Sequence, residues 1–531
     1  MLKLFVLTYL LFPSIICSGF LSGGLRMNSY HRESGQILLL ATITMVVLLG
    51  FSALAVDLGL LYSTRRRMQT AADGAAIAGA TALRDGQNYT KAADDVASFN
   101  GFTNSQNNVA VTVSEPTLGS PYPSGVTYVE VDIAQTVPTY FLRALGYKSM
   151  NVGARAVSGA VAGPACIYAL DPTDSGTFSL TGNSNVTSQC GVIDDSTSSS
   201  GLSLTGNITL KASSIGVVGS SFSKSGNVTV SPQPVENLAA LPDPLAGRAK
   251  SIAPSAGSCT QAGGAKSGTY TLSGNIPTQT VGPLLYSGGV SVSGNVSSLT
   301  FAAGTYGNSI NFDGNGGNLV FNPGQYQNGG SGNSITLNGN TATTFNAGTY
   351  TFCGAVDIIG NSSVTLQPGT YFGGIQITGN ANVTFSPGTY ILAGGGLTVT
   401  GNSTLTGTGV TFYNTSATGY AYAPIDLTGN ETANLSAPTS GTFEGFLFFQ
   451  DPSVAVGSAG STIVGNSSST FNGIVYLPTT TLTYVGNSGG SGYTILVAYD
   501  ITITGNSSFT IGNNYSSLAD GAPIKSSALY E

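Results

Sequence analysis

The feature that most constrains the fold is a pair of short motifs that alternate through the C-terminal two-thirds of the chain. A Gly-Asn pair, usually preceded by Thr or Ser, recurs from Gly182–Asn183 to Gly505–Asn506. Between these pairs recurs an (Ala/Pro)-Gly-x-Tyr motif, whose successive glycines are 20, 24, 21 and 19 residues apart. A period of about 20 residues that holds several short strands predicts a solenoid rather than a globular α/β domain. The motif glycines are Gly304, Gly324, Gly348, Gly369 and Gly388.

One cycle, Gly373–Tyr390, explains how this repeat would fold. Its segments IQIT and VTF alternate apolar and polar side chains, so each has one inward face. The Gly-Asn pair between them and the Pro-Gly pair after them supply the turns. We therefore predict a mainly β fold in which residues 163–515 form a right-handed parallel β-solenoid of about 20 residues per coil. Asparagines at equivalent corners are expected to hydrogen-bond as a ladder along the axis. The predicted ladder residues are Asn340, Asn361, Asn380 and Asn402.

The C-terminal segment is less regular than the rest of the repeat region. Residues Gly441–Ser508 contain longer apolar strands, which we interpret as the end of the same solenoid. Residues 516–531 are expected to form a loose C-terminal tail that caps it.

Near the N-terminus, Ile37–Val56 is a run of twenty residues without a charge. At a rise of about 1.5 Å per residue, such a helix crosses a bilayer core of about 30 Å. The sequence therefore predicts a transmembrane helix over residues 37–61. The lipid bilayer is accordingly a predicted partner.

Residues 1–36 allow two interpretations. Lys3 and the apolar run Leu4–Cys17 resemble a secretory signal peptide. Alternatively, translation begins at Met27, residues 1–26 are untranslated, and the later apolar run is a signal anchor, which we prefer. Three basic residues, Arg65–Arg67, favour a cytoplasmic C-terminal side, whereas the cysteine-containing Gly/Asn-rich region favours export.

Residues 62–162 predict a small pilin-like α+β domain. An Ala-rich helix over Tyr62–Phe99, interrupted by a polar turn, is followed by strands at Val109–Val113, Val126–Ile133 and Met150–Ala162. A short helical turn is predicted over Thr139–Leu145.

Several motifs in this part of the chain resemble a known family. The ordered sequence S-G-Q, A-V-D-L-G, R-R-R-M-Q and T-A-A-D-G-A-A-I-A-G-A between Glu33 and Ala80 is similar to the TadE/TadG-like group of Flp (tight-adherence) pilus-assembly proteins. The similarity extends more weakly through V-P-T-Y-F-L-R-A-L-G-Y to Ala162. The resemblance implies a single-pass bacterial inner-membrane protein whose C-terminal part lies in the periplasm or at the cell surface, with pilus-assembly proteins as partners.

Asp57, directly after the apolar run, matches the acidic position of that family. Two roles are expected for it: contact with the helix of another subunit, because acids at such depth usually have a partner, or a place at the headgroup boundary.

Composition limits the chemistry that the repeat region can perform. From Ser267 to Ile524 there is no Lys, Arg or His, and the chain's single histidine is His31. This excludes a histidine-dependent triad in the solenoid, and the net charge of −7 disfavours nucleic acid as a partner. No cofactor or metal site is predicted, since no cysteine pair has zinc-ligand spacing. Cys166 and Cys190 are either a disulfide or, with Cys259 and Cys353, unpaired buried thiols.

The sequence therefore predicts a non-enzymatic, membrane-anchored envelope protein whose extracytoplasmic solenoid serves assembly or surface adhesion. Adhesion would use exposed Tyr, Thr and Asn side chains to bind surface glycans. One alternative is a polysaccharide-acting β-helix enzyme using carboxylates such as Asp313 and Asp357, or Asp451 and Asp500. Another is a scaffold that self-assembles through its terminal coils.

Overall fold

The computed structural model describes residues 34–84, 87–116, 128–162, 165–238, 240–252, 257, 259–260, 266–328, 332–465, 469–486, 488–489 and 493–530. The signal-like segment and the alternative start at Met27 lie outside these residues. The chain divides into two units. One holds the first part of the long helix, to Met68, with residues 134–153; the other holds residues 69–133 and everything from Ala154 onward.

The N-terminal part contains two helices and a small antiparallel sheet. Helix α1 spans Ser34–Arg84 and helix α2 spans Tyr89–Phe99. A new helix can begin at α2 because the Asn88 side chain accepts a hydrogen bond from the Lys91 backbone N–H at 2.9 Å. The strands are β1 (Val109–Ser114), β2 (Tyr128–Pro138) and β3 (Ser149–Ala162), and a 3₁₀ helix covers Leu142–Leu145.

The C-terminal residues belong to this small sheet. The strand Lys525–Tyr530 pairs antiparallel with β3, from Val157 opposite Tyr530 to Ala162 opposite Lys525, and the sheet order is β1, β2, β3, C-terminal strand. The prediction of a loose cap on the solenoid is therefore wrong for these residues. Backbone pairing that joins residues so far apart in the chain leaves no periodic signal in the sequence.

The repeat region is a parallel β-solenoid of about 14 turns with about 22 residues per turn, as the sequence predicts in outline. Its strands form three columns, and equivalent motif residues pair in register, as Gly339 does with Gly360 and Gly379 with Gly401. The period exceeds the predicted value partly because two neighbouring coils carry insertions: Leu397 pairs with Ile425, and Asp426 pairs with Thr462. The predicted right-handedness stays a prediction.

The strands of each column share one position in the coil. Column 1, which contains most Gly-Asn pairs, consists of Phe178–Gly182, Tyr270–Ile276, Val290–Val296, Ala355–Gly360, Ile375–Gly379, Leu397–Gly401, Ile425–Leu427, Ser461–Gly465, Leu482–Gly486 and Ile501–Thr504. Column 2 consists of Asn185–Ser188, Gln279–Val281, Ser298–Phe301, Ser363–Leu366, Asn382–Phe385, Thr404–Thr408, Thr432–Ser436, Ser488–Gly489 and Ser508–Ile511.

Column 3 and the longer strands complete the coils. Column 3 consists of Ala165–Ala169, Gly191–Asp194, Ile215–Val217, Gly304–Tyr306, Gly324–Tyr326, Tyr350–Phe352, Gly369–Tyr371, Gly388–Ala393, Val410–Thr415, Phe446–Gln450 and Thr494–Ala498. Five longer strands run through two columns: Leu202–Lys211, Ser223–Ser231, Ile310–Phe321, Asn333–Phe345 and Thr470–Leu477.

The order of the coils in space differs from their order in the sequence. The last coil in the chain stacks on the first, since Leu496 pairs with Ile167 and Ile501 pairs with Phe178. The stack continues through Leu202–Lys211 to its end at Ser223–Ser231, while its opposite end is Tyr270–Ile276. The prediction that Gly441–Ser508 ends the solenoid is wrong, because the coils of residues 165–231 stack beyond it.

Residues 232–269, which we call the strap, connect the two ends of the stack and contact coils between them. The Leu241 backbone N–H donates to Asp195 Oδ1 at 2.7 Å, and Tyr476 donates its hydroxyl to Asp243 Oδ2 at 2.6 Å. The helix Ala246–Ile252 places Arg248 Nη2 2.6 Å from the Glu444 carbonyl oxygen. Further along, a disulfide joins Cys259 to Cys353.

We expect the double variant Cys259→Ser, Cys353→Ser to release this part of the strap while the coils stay folded. The disulfide closes a loop with a sequence separation of 94, and the coils have their own backbone pairing. Limited proteolysis with mass spectrometry should detect new cleavage in the strap of the double variant. Cys166→Ser, Cys190→Ser is the matched control, because its bridge joins two neighbouring coils instead; equal cleavage in both variants would contradict the prediction.

The solenoid core is a continuous stack of apolar and aromatic side chains. The tyrosines of the (Ala/Pro)-Gly-x-Tyr motifs are fully buried within it, and the rings of Tyr306 and Tyr326 stack with centroids 5.2 Å apart. Each hydroxyl is satisfied locally; Tyr390, for example, donates to the Ser386 and Leu366 carbonyl oxygens at 2.9 and 3.0 Å. These tyrosines therefore cannot form the exposed binding surface that the adhesion hypothesis expects. The buried motif tyrosines are Tyr306, Tyr326, Tyr350, Tyr371 and Tyr390.

Candidate functional site

Asp57 holds the turn between β2 and β3 against α1. Its side chain is 1% exposed, and its carboxylate accepts backbone hydrogen bonds from Tyr140 (3.0 Å), Phe141 (2.8 Å) and Leu142 (2.6 Å). Leu142 is the first residue of the 3₁₀ helix, whose first N–H groups have no partner within the helix. The carboxylate therefore caps this helix, an arrangement that we call the Asp57 clasp.

The clasp joins the two stretches that carry the family resemblance, because A-V-D-L-G supplies the acid and V-P-T-Y-F-L supplies the three N–H groups. Neither role expected for Asp57 requires this contact. The contact with another subunit's helix stays a prediction, and within this chain three backbone donors bind the carboxylate. Nothing in the sequence indicates that these two motifs contact each other, because they lie about 80 residues apart.

The predicted asparagine ladder is present in part. Asn340 Nδ2 donates to Asn315 Oδ1 at 3.4 Å and Asn380 Nδ2 donates to Asn361 Oδ1 at 3.1 Å. Among the described residues, no side-chain hydrogen bond joins Asn361 to Asn340 or Asn402 to Asn380, although the neighbouring glycines are in register. These asparagines are solvent-exposed, so the ladder follows an outer corner of the solenoid.

The same ladder extends to coils near both ends of the stack. Asn207 donates to Asn183 at 2.6 Å, Asn227 donates to Asn207 at 2.8 Å, and Asn295 donates to Asn275 at 3.3 Å. Ladder bonds therefore form wherever the corner brings amides close enough, and they link coils independently of the core.

The cysteines of the repeat region form two bridges. Cys166 is bonded to Cys190, with their Cα atoms 5.6 Å apart, which is the pairing that the sequence offers as one alternative. The second bridge, between Cys259 and Cys353, was not predicted, because only the path of the strap brings these residues together.

Asp194 is a buried carboxyl group at the end of the column 3 strand Gly191–Asp194. It is 1% exposed, and within the described residues its Oδ2 has no hydrogen-bond partner. Burial raises the pKa of Asp194 to about 7, and the nearby charges of Asp195 and Asp171 act in the same direction. The carboxyl group is therefore neutral or only partly ionised near neutral pH.

We expect Asp194→Asn to flatten the pH dependence of stability. Between the ordinary pKa of 3.8 and about 7, the folded chain keeps a proton that the unfolded chain releases. The contribution of this group to the free energy of unfolding is therefore full below 3.8 and decreases as the pH rises through that window. Asparagine cannot ionise, so the variant should lose less stability over this range. Urea unfolding at acidic and neutral pH measures the difference, and parallel curves for both proteins would contradict the assignment.

The carboxylates considered for catalysis have separate local partners. Asn338 Nδ2 donates to Asp313 at 3.2 Å, whereas Asn333 Nδ2 donates to Asp357 at 3.0 Å. Asp451 accepts the Tyr413 hydroxyl at 2.7 Å, and Asp500 accepts the Thr481 hydroxyl at 3.2 Å. In the described part of the chain, no group of three or more His, Cys, Asp or Glu residues is arranged to hold a metal ion.

The two ends of the solenoid differ in chemistry. At one end, Lys224 occupies the column position of the buried Leu204, so a charged side chain stands where the other coils place a core residue. At the other end, the half-buried Tyr270 and Leu272 occupy the corresponding apolar positions. A charge on an inward position of an edge strand opposes strand addition, because a stacked coil would bury it unpaired.

We therefore expect Lys224→Leu to promote association of the protein through its ends. The variant removes the buried-charge cost that opposes stacking of a second copy on this coil. Lys211→Leu is the matched control, because Lys211 lies in the adjacent coil at an exposed position. Sedimentation velocity over a concentration series should detect larger species for Lys224→Leu alone; identical distributions for the two variants would contradict the role of Lys224.

Taken together, these elements define a protein with a long apolar N-terminal helix, a small α+β module and a parallel β-solenoid. Residues 35–82 match the TadE/G-like Flp pilus-assembly family, and residues 73–158 match a Tad-like Flp pilus-assembly family. Residues 35–158 thus carry two Tad-type Flp pilus-assembly domains, which confirms the resemblance, including its weaker extension beyond Ala80. No curated protein and no solved structure matches the chain.

Proposed function

We propose that this chain is a single-pass inner-membrane protein of a bacterial Flp pilus-assembly system that displays its solenoid outside the cytoplasm as a rigid, non-enzymatic element. Helix α1 supports anchorage, because within the described residues it is the helix that is long and apolar enough to cross a membrane. Its apolar stretch is not buried by the rest of the protein. The one-helix anchor agrees with the family match at residues 35–82.

The observation that carries the proposal is the way the solenoid is inserted into the small α+β module, between β3 and the C-terminal strand. The chain enters the solenoid directly after β3, which ends at Ala162, and returns to pair Lys525–Tyr530 with β3. Both ends of the solenoid segment are thus fixed to the same sheet. This double attachment favours a structural role, in which the solenoid is held in place by the sheet.

Two disulfides support export of the solenoid. Disulfides persist in the periplasm and at the cell surface but are rare in the cytosol. We give this observation more weight than Arg65–Arg67, because long domains translocate largely regardless of nearby charge.

Topology is tested by protease treatment of intact cells and spheroplasts, with an antibody against the solenoid. We expect the solenoid to be degraded in spheroplasts while a cytoplasmic marker stays intact. Its cysteines should resist a maleimide reagent until a reductant is added. A solenoid protected in spheroplasts, with freely reactive cysteines, would overturn the proposal.

The role in the envelope is tested by deletion of the gene. We expect the mutant cells to attach poorly to surfaces. Fewer pili on these cells would assign the protein to assembly, whereas normal pili with poor attachment would assign it to adhesion. Unchanged attachment and piliation would reject both.

The non-enzymatic part of the proposal has its own test. The purified protein is expected to leave acidic polysaccharides intact. Depolymerisation that is lost in Asp357→Ala would instead favour the polysaccharide-acting enzyme.

A further inference from the structure

The turn between β2 and β3 exposes an unusual set of large apolar side chains. In residues 139–148, which we call the clasp loop, Tyr140 is 68%, Phe141 48%, Leu145 71% and Tyr147 62% exposed. Four such side chains within eight residues form an apolar patch, and patches of this kind mark contact surfaces.

The Asp57 clasp fixes the position of this loop along α1. Asp57 directly follows the twenty-residue run Ile37–Val56, which is long enough to cross a bilayer core of about 30 Å. Because Asp57 binds the backbone N–H groups of residues 140–142, the loop lies beside the helix at the point where the apolar run ends. The neighbouring helix residues Leu58 and Tyr62 are also exposed.

The charges of the loop match the same environment. Arg143 and Lys148 are exposed, and no Asp or Glu occurs from Ile133 to Ala162. Tyrosine is enriched at membrane–water interfaces, and Arg and Lys there interact with anionic headgroups. A loop that combines tyrosines, apolar residues and cations at the end of an apolar helix has the composition of an interfacial segment.

We propose that the clasp loop is a second membrane contact, which places Tyr140, Phe141, Leu145 and Tyr147 in the headgroup region of the bilayer that α1 crosses. The proposal rests on the membrane anchorage proposed above. The anchor is then held at two points, the helix and the loop, which restricts its tilt and rotation relative to the membrane surface. The Asp57 clasp is the link that makes the two points one rigid unit.

The chain contains no tryptophan, so a single introduced tryptophan reports on its own surroundings. The probes are Phe141→Trp and Tyr147→Trp in the full chain, reconstituted into vesicles of phosphatidylcholine and phosphatidylglycerol. The phosphatidylcholine carries bromine on its acyl chains, either near the headgroup or near the chain ends. Met45→Trp, within the apolar run, is the reference for the membrane interior, and Val456→Trp, an exposed solenoid position, is the reference for water.

We expect both loop probes to emit at shorter wavelength than Val456→Trp and to lose most of their emission with bromine near the headgroup. Met45→Trp should be quenched more strongly by bromine near the chain ends. Quenching of Met45→Trp without quenching of either loop probe would overturn the loop proposal and leave the anchor intact. Absence of quenching for Met45→Trp would reject the anchor itself. Shielding of the loop probes from both bromolipids and aqueous iodide would assign the patch to a protein contact and reject the membrane contact.

Discussion

Replacing Gly339 by alanine is expected to destabilise the solenoid by about 2–5 kcal/mol, the sum of a left-handed backbone cost of about 1–2 kcal/mol and a steric overlap of about 1–3 kcal/mol. Gly339 has φ +133°, which L-residues rarely adopt, and an added Cβ would overlap with the carbonyl oxygen of Gly314 in the preceding coil. Neither coil can move aside without breaking the in-register pairing of Gly314 with Gly339. Chemical unfolding of the full chain in detergent, followed by circular dichroism, measures the loss.

Gly274→Ala is the matched control for this prediction. Gly274 belongs to the same Ser/Thr/Asn-Gly-Asn pattern and has φ +80°, but it lies in the end coil, and an added Cβ would meet nothing within 4 Å. Only the backbone cost of about 1–2 kcal/mol should remain. Equal losses for the two variants would show that conformational strain, and not the close approach of coils, requires glycine at this corner.

The architecture was predictable from the sequence because the solenoid is built from local rules. Alternating apolar residues, the Gly-Asn corner and the Pro-Gly corner all act within one coil, so they leave a periodic pattern. The family motifs around Asp57 were equally visible, since they lie in one continuous segment.

The order of the coils was not predictable from the same pattern. Every coil has a similar edge, so the repeat pattern does not show which coils are neighbours. It therefore does not predict that the coil of Ile501 stacks on the coil of Phe178. The strap and the Cys259–Cys353 bridge follow from this rearrangement, because the chain must return along the stack to begin its next coil. Lys224 is a local signal of an end coil, because it puts a charge on a core position, but this can be recognised only once the register is known.

The sequence predicted the turn of the (Ala/Pro)-Gly-x-Tyr motif but not the burial of its tyrosine. Its Pro-Gly pair indicates a turn, yet the following residues form the short strands of column 3 and direct tyrosine inward. A tyrosine can occupy this core because its hydroxyl reaches the carbonyl oxygen four residues earlier, as Tyr371 reaches Gln367 at 2.6 Å. This hydrogen bond depends on side-chain geometry, which cannot be predicted from the periodicity of apolar residues.

Replacing Asp57 by alanine is expected to release the clasp loop from α1, because three backbone N–H groups lose a charged acceptor. The residue is 1% exposed, so water has poor access to replace the carboxylate. Hydrogen exchange of the full chain in detergent should become faster at the amides of Tyr140, Phe141 and Leu142. Trypsin should also cleave more readily at Arg143 and Lys148, which lie within the released loop.

Two further variants separate the charge from the geometry of the clasp. Asp57→Asn keeps one acceptor oxygen but directs an amide group at the remaining N–H donors, so its effect should be intermediate. Asp73→Asn, in the same helix, is the control, because the Asp73 side chain pairs with Gln69 of α1 at 2.8 Å and is not part of the clasp. Unchanged exchange in Asp57→Ala would mean that packing alone holds the loop, and the link between anchor and interface would then have to lie elsewhere in residues 134–153.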